Sequence, residues 1–327
     1  MRASWFGLCL FGLALTLVLF SGCAPSTGGN GGDGGGGDGG NGGNGGNGGG
    51  DGAATTSLVF IHHSVGQDWL DNGLRDALAA KTYIDEVNDI TYGTDVAPDA
   101  GRPDTLAEVP GELTDIPHWV FWFNDYIDHV KDYHNAAAAG VRQAGANRIV
   151  MFKSCFPNSD IWGDGEEPGD PFTGDFNLAD FRAVYRNQRG IGIAYTHEAY
   201  TYHALQDAFA NEPETLFVVC TPPPNVAYGD ASNGARGREF ADWLAGEWLD
   251  GYNAAHPSLH NVVVFNVFDV LANPDDGSAE ANLLQDGYVR DPGDSHPSPA
   301  GDAALTTAFV TGAGSPLDAA WTEFTAE

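Results

Sequence analysis

Five short apolar runs recur along the chain: "SLVFI" (57–61), "VNDITY" (87–92), "RIVMF" (148–152), "LFVVC" (216–220) and "NVVVFNVF" (261–268). Continuous rather than alternating apolar character marks strands buried on both faces, the habit of a parallel sheet covered by helices. Helical patterns lie between them. "WVFWFNDYIDHVKDYHNAAAAGVRQAG" sets Trp119, Trp122, Phe123, Tyr126, Ile127 and Val130 on one stripe and ends in Gly145, "THEAYTYHALQDAFANEP" stops at Pro213, and "RGREFADWLAGEWLDGYNAAHP" stops at Pro257. Strand then helix, repeated, predicts an open α/β sheet. Right-handed crossovers bring the carboxyl ends of such strands to one edge, where sites form. Polar clusters follow the runs: "HHSVG" the first, "YGT" the second, "KSCFPNS" the third and "TPPPN" the fourth, with "DPGDSHPSPAG" beyond the fifth.

Everything before residue 53 reads as export and tether sequence. Residues 1–22 begin with Met1 and Arg2 and carry an apolar run of 16 residues, Trp5 to Phe20. That is shorter than the about 20 residues a spanning helix needs, so it reads as a secretory signal. The run closes in "LFSGC", which resembles the lipobox of bacterial lipoproteins, with Phe20 where Leu is usual; the resemblance implies lipidation of Cys23. Ala24 is not the Asp associated with inner-membrane retention, so the same resemblance implies an outer-membrane, cell-envelope location. From Gly28 to Gly52 the chain is 25 residues of Gly broken by Asn and Asp. Such a coil spans about 25–30 Å and makes residues 23–52 a leash for the single domain at 53–327.

Charge excludes some partners. The chain has 45 Asp plus Glu against 14 Lys plus Arg, a net charge of −31. A surface of that sign repels phosphate backbones and anionic headgroups, so neither nucleic acid nor an anionic bilayer is an expected partner, and membrane contact runs through Cys23 alone. The densest acidic stretch, "DIWGDGEEPGDPFTGD" (160–175), lacks the spacing of a calcium loop and reads as solvated. Cys155 and Cys220 both end apolar runs, where buried free thiols are expected over a disulfide.

Taken singly, the polar residues have ordinary readings. Ser64 before "VGQDWLDNGL" fits a helix cap, His296 a loop histidine, Asn158 and Gly93 turn residues. His62 and His63, with Asp291, Asp294 and His296, suggest a metal set, but adjacent residues leaving a strand point apart, so one packed histidine is expected and no metal is assigned. Trp119, Phe121, Trp122, Phe123 and Tyr126 fit a buried stripe, with Phe121 the one expected outside it, free to stack on a sugar ring. Asn225 in "TPPPN" is a candidate substrate contact at the rim.

Together, "HHSV", "TYGT", "CFPNS" and "DSHPSPAG" resemble the SGNH, or GDSL-like, hydrolases, and more narrowly a bacterial branch in which His-His-Ser stands for Gly-Asp-Ser. The resemblance spans nearly all of residues 57–310. It implies a flavodoxin-like three-layer α/β/α sandwich with a five-stranded parallel sheet of order 2-1-3-4-5. It also implies Ser64 as nucleophile, His296 as base, and Gly93 and Asn158 as oxyanion donors, with no cofactor. Two departures stand out: His62-His63 replaces Gly-Asp, and the residue three before His296 is Gly293, not Asp. Asp294 and Asp291 are both close enough in sequence to orient the imidazole, and Asp294 is the preferred partner. The expected activity is ester hydrolysis on an acylated carbohydrate, for example removal of acetyl groups, against the alternative of a non-catalytic surface module that binds glycan or protein.

Overall fold

A computed structural model describes residues 55–96, 110–135, 146–190, 192–197 and 199–326. The signal sequence, Cys23 and the Gly-rich leash lie outside the described residues. Strands β1 (Thr56–Ile61), β2 (Ile84–Ile90) and β3 (Asn147–Lys153) come first, then a short pair β4 (Tyr195–His197) and β5 (Tyr200–Tyr202), then β6 (Leu216–Cys220) and β7 (Val262–Phe265). The main sheet has the order β2-β1-β3-β6-β7, and every pairing in it is parallel. Counting only its own strands this is 2-1-3-4-5, the expected order.

Alternation along each strand builds two cores. Val59, Ile61, Val150, Phe152, Phe217 and Val219 face one helical layer with Trp119, Phe123 and Tyr185. Leu58, Phe60, Ile149, Met151, Leu216 and Val218 face the other, with Trp69, Leu305, Phe309 and Trp321. Successive strand residues point to opposite faces, so a continuous apolar run serves both layers at once. Each such side chain taken out of water contributes about 1.5–3 kcal/mol, and this fixes the sheet in the middle of the molecule.

Four sequence expectations shift. The aromatic stripe is two helices, Trp119–Asp125 and Ile127–Lys131, broken at Tyr126, whose φ of −118° and ψ of 1° are not helical. The stretch expected to close that helix at Gly145 falls outside the described residues. In the segment expected to be helical up to Pro213, only Leu205–Ala210 is helix; Tyr195–His197 and Tyr200–Tyr202 pair antiparallel. Alternating Tyr and Thr favour a pleated surface over a helix, and that local preference wins. Phe121 is buried, 9% exposed, between Phe172 and Tyr202. The expectation of an open sugar platform there is corrected: Phe172, from the acidic loop, and Tyr202, from β5, cover the ring. The strand expected over 261–268 ends at Phe265, where Asn266 caps a new helix by accepting from the Asp269 N–H.

The turn from β1 into the next helix, Ser64–Trp69, is tight. A methyl group at Gly66 would overlap Cβ and Cγ of His62, whose ring is fully buried. Gly66→Ala should therefore destabilise the fold by about 1–3 kcal/mol, read as a lower urea midpoint at unchanged slope. Gly246→Ala, with open space around its position, should stabilise its helical segment by up to about 1 kcal/mol in the same experiment.

Candidate active site

Ser64 is the first residue of its helix, not the cap. The cap position belongs to His63, in extended conformation and without a side-chain capping bond. The Ser64 hydroxyl is therefore not spent on the helix. Its Oγ lies 2.7 Å from His296 Nε2. His296 Nδ1 in turn lies 2.6 Å from Asp294 Oδ1, and the same oxygen accepts the His296 backbone N–H at 3.0 Å. A carboxylate only accepts, so Nδ1 carries the proton and Nε2 presents a lone pair to the Ser64 hydroxyl.

Asp294 is the better of the two candidate acids. Asp291 is exposed, and its carbonyl accepts the Asp294 N–H. Partial burial alone would push the Asp294 carboxyl up, but the His296 backbone and ring N–H groups and Arg290 pull it down to about 2. The anion thus persists across the whole range in which an imidazole titrates. Edge-on contact with Phe156, ring centroids 5.1 Å apart, closes one side of the imidazole.

Both histidines before Ser64 turn away from His296, in opposite directions. His62 is fully buried; its Nδ1 donates to the His63 carbonyl, and its Nε2 stands 3.8 Å from Asp89. His63 points the other way: Nε2 donates to the Gly111 carbonyl at 2.9 Å, and the ring stacks on the half-exposed Tyr92 at 4.0 Å. Burial lowers the His63 pKa, which favours the neutral ring this contact uses. The set of His62 or His63 with Asp294 and His296 is not assembled, and among the described residues no group of three or more His, Cys, Asp or Glu is placed to hold a metal ion.

The two expected oxyanion donors are placed differently. Asn158 is fully buried, and both ends of its amide are fixed: Oδ1 accepts from the Ile116 N–H at 2.9 Å, and Nδ2 donates to Asp115 Oδ1 at 2.6 Å. One Nδ2 hydrogen remains. Gly93 sits in an exposed turn with φ 75°, and its N–H goes to Glu112 Oε1 at 3.0 Å. As the turn stands, that donor is occupied. Gly111, which sequence reasoning passed over, is buried against the Thr91 and Thr94 carbonyls and anchors His63. Nothing in "VPGE" signals such a role.

Cys155 and Cys220 are free thiols. Cys220 is buried, but Cys155 is half-buried with Sγ 4.0 Å from Ser64 Oγ, so it lines the site. Asn225 does not face substrate: its amide is buried, donating to the Phe156 carbonyl and Ser159 Oγ, and it ties two loops together.

Behind the nucleophile lie two buried ionisable groups. Lys153 is fully buried, its Nζ donating to the Ser154 carbonyl, and burial lowers its pKa. Asp302 is also fully buried; Oδ2 accepts from Asn72, while Oδ1 has no partner. Burial, reinforced by nearby Asp68, pushes its carboxyl up to about 7. A carboxyl raised on folding is easier to protonate in the native state, so its effect favours folding at low pH. That advantage is lost as pH climbs from the unfolded value near 4 through about 7. Asp302→Asn should accordingly raise the melting temperature at pH 8 and change it little at pH 5, measured by circular dichroism.

Comparison with known proteins adds little. No family model matches the sequence, and no curated protein matches it. Two solved structures are similar. One is a Bacteroides fragilis protein assigned as an acylhydrolase, 11% identical, TM-score 0.39, covering 78% of this chain and 86% of its own. The other is a Desulfitobacterium hafniense protein assigned to the G-D-S-L family of lipolytic proteins, 12% identical, TM-score 0.33, covering 77% of this chain and 95% of its own. Likeness at these scores carries no weight for function.

Proposed function

We propose that the chain is a serine ester hydrolase of SGNH type, using Ser64 as nucleophile, His296 as base and Asp294 as the orienting acid. The observation that carries this reading is the unbroken path from Ser64 Oγ through both nitrogens of His296 to Asp294, at 2.7 Å and 2.6 Å. A serine hydroxyl becomes an effective nucleophile only when a base within reach takes its proton, and the base needs a fixed tautomer. On this reading Oγ attacks the ester carbonyl as its proton passes to Nε2, and Asp294 supports the imidazolium. Collapse of the tetrahedral intermediate breaks the bond to the alcohol, which leaves with the proton from Nε2. Water, deprotonated by the same nitrogen, then releases the acid and regenerates Ser64.

Charge on the carbonyl oxygen needs donors aimed at it, each worth about 3–4 kcal/mol. The Ser64 N–H qualifies because the first N–H groups of a helix have no partner within it. The free Nδ2 hydrogen of Asn158 is the second. Gly93 contributes only if its N–H leaves Glu112.

Substrate class follows from setting. A signal sequence, a lipid-bearing Cys23 and a Gly-rich leash would hold the domain at the cell envelope, within reach of acylated polysaccharide. The acidic surface suits a neutral glycan over a polyanion. The reading is therefore a tethered carbohydrate deacylase, acetyl esters foremost.

Hydrolysis of an aryl acetate and of an acetylated sugar by the full chain is the direct assay. Ser64→Ala and His296→Ala should each cost on the order of 10⁴-fold or more in kcat, and a chelator should change nothing. Equal rates in wild type and both variants would overturn the reading and leave a surface module that binds glycan.

A further inference from the structure

The serine and the histidine come from opposite ends of the domain's sequence, 232 positions apart. Their hydroxyl-to-nitrogen contact tolerates little slippage, yet Ser64 rides on a helix of six residues and His296 on a loop. One side chain spans the two. Arg290 Nη1 donates to Asp68 Oδ2 at 2.8 Å, and Asp68 is one turn beyond Ser64 on the serine's own helix. Arg290 Nη2 and Nε donate to Asp294 Oδ2 at 3.0 Å and 3.3 Å. Asp294 Oδ1 is left to hold His296. The contacts close a ring: Ser64, His296, Asp294, Arg290, Asp68 and back along one helical turn to Ser64.

We propose that Arg290 is a positioning residue that locks the serine helix and the histidine loop in register, doing so by gripping Asp68 with one arm and the outer oxygen of Asp294 with the other. Its planar fork suits this task. A guanidinium offers donors in fixed directions, so it can hold two carboxylates at a set angle, which an ammonium on a flexible stem does less well. With the outer oxygen fixed, the Asp294 carboxylate cannot rotate, and its inner oxygen stays on the imidazole Nδ1–H. At the other end, Asp68 keeps the helix from turning Ser64 away from Nε2. Further along the same arm, Asn72 reaches Asp302 at 2.8 Å and Trp69 Nε1 reaches Thr306 Oγ1 at 2.9 Å. Both partners lie on Pro299–Thr306, the helix that follows the histidine loop. These bonds dock the two elements; Arg290 is the one that touches the acid.

The pair of contacts also accounts for the missing residue in the late motif. The SGNH pattern places its Asp three residues before the His, whereas here Gly293 stands at that position and Asp294 is two before. A carboxylate so close in sequence to its histidine accepts that histidine's own backbone N–H, and one oxygen serves both bonds. The second oxygen would then face solvent. Arg290 takes it.

This role rests on the esterase reading for its consequence in turnover but not for its geometry, and the test separates the two. Purified full-length wild type, Arg290→Gln, Arg290→Lys and Asp68→Asn would be compared in two measurements. The first is the low-field proton NMR resonance of the His296 Nδ1–H, assigned by its loss in His296→Ala, which needs no substrate. The second is kcat and KM on an aryl acetate, with melting temperatures as a check on folding. The expected result is a resonance that shifts upfield or broadens in Arg290→Gln and is only partly restored in Arg290→Lys, whose ammonium lacks the fork. With it should come a fall in kcat of about 10–100-fold at nearly constant KM, the usual size for loss of a group that orients an active residue. Asp68→Asn should fall between, and the double variant should be no worse than Arg290→Gln alone, because both act on one linkage. An unchanged resonance in folded Arg290→Gln would overturn the proposal whatever the kinetics. A resonance that depends on Arg290 in a protein without esterase activity would uphold the clamp and sink the esterase reading instead.

Discussion

Everything at the site depends on β1 being paired on both sides and buried on both faces. It lies between β2 and β3, all in parallel, and its six residues are buried throughout. A strand so placed has no freedom to shift register, because one step would exchange the residues of the two cores. Its carboxyl end is therefore a fixed point. The loops that leave β2 and β3 start beside it, and the wall residues Cys155 and Phe156 belong to the second of them. Only the base comes from far away, and that distance is why a dedicated linkage is needed.

The fold was legible because its signal is redundant. Four strands repeat the same apolar statement and the edge strand β2, IDEVNDI, carries a weaker one, so an error of a few residues at a boundary leaves the order intact. The two-stranded element at Tyr195–Tyr202 was missed for the opposite reason: three-residue strands have no periodicity to detect, and the adjoining helical pattern absorbed them. At the site, the family resemblance named Ser64 and His296 and left Asp294 preferred over Asp291; these three side chains stand in hydrogen-bond contact. The engagement of Gly93 was not legible, since nothing in "TYGT" reveals that Glu112, nineteen residues on, takes its N–H. Arg290 and Asp68 could not be read at all. Their contact spans 222 residues and is made by two ordinary charged side chains.

Electrostatics gives that contact its context. With 14 basic residues against 45 acidic ones, carboxylates compete for cations, and some cations are shared. Lys131 meets Asp128 and Glu212, and Arg290 meets Asp68 and Asp294. Exposed pairs of this kind add only about 0–1 kcal/mol each and weaken in salt, so they are poor evidence for stability. What they do supply is direction. A carboxylate beside the site would otherwise take any rotamer that solvent allows, and a shared cation leaves it one.

The same logic applies to the two places where the site departs from the SGNH pattern that the sequence resembles. What an imidazole requires is an acceptor oxygen in its plane near Nδ1, and spacing in sequence is one way among several to deliver it. Here Gly293 adopts φ 84°, a left-handed conformation that a residue with a Cβ rarely adopts, and this turn swings Asp294 back over His296. The exchange of Gly-Asp for His-His before the serine follows the same course. His62 fills the space under the elbow that Gly66 leaves open, and His63 pins the β2 loop through Gly111 and Tyr92. Both histidines are structural parts of the turn that aims Ser64, which is why neither has to meet the reacting atoms.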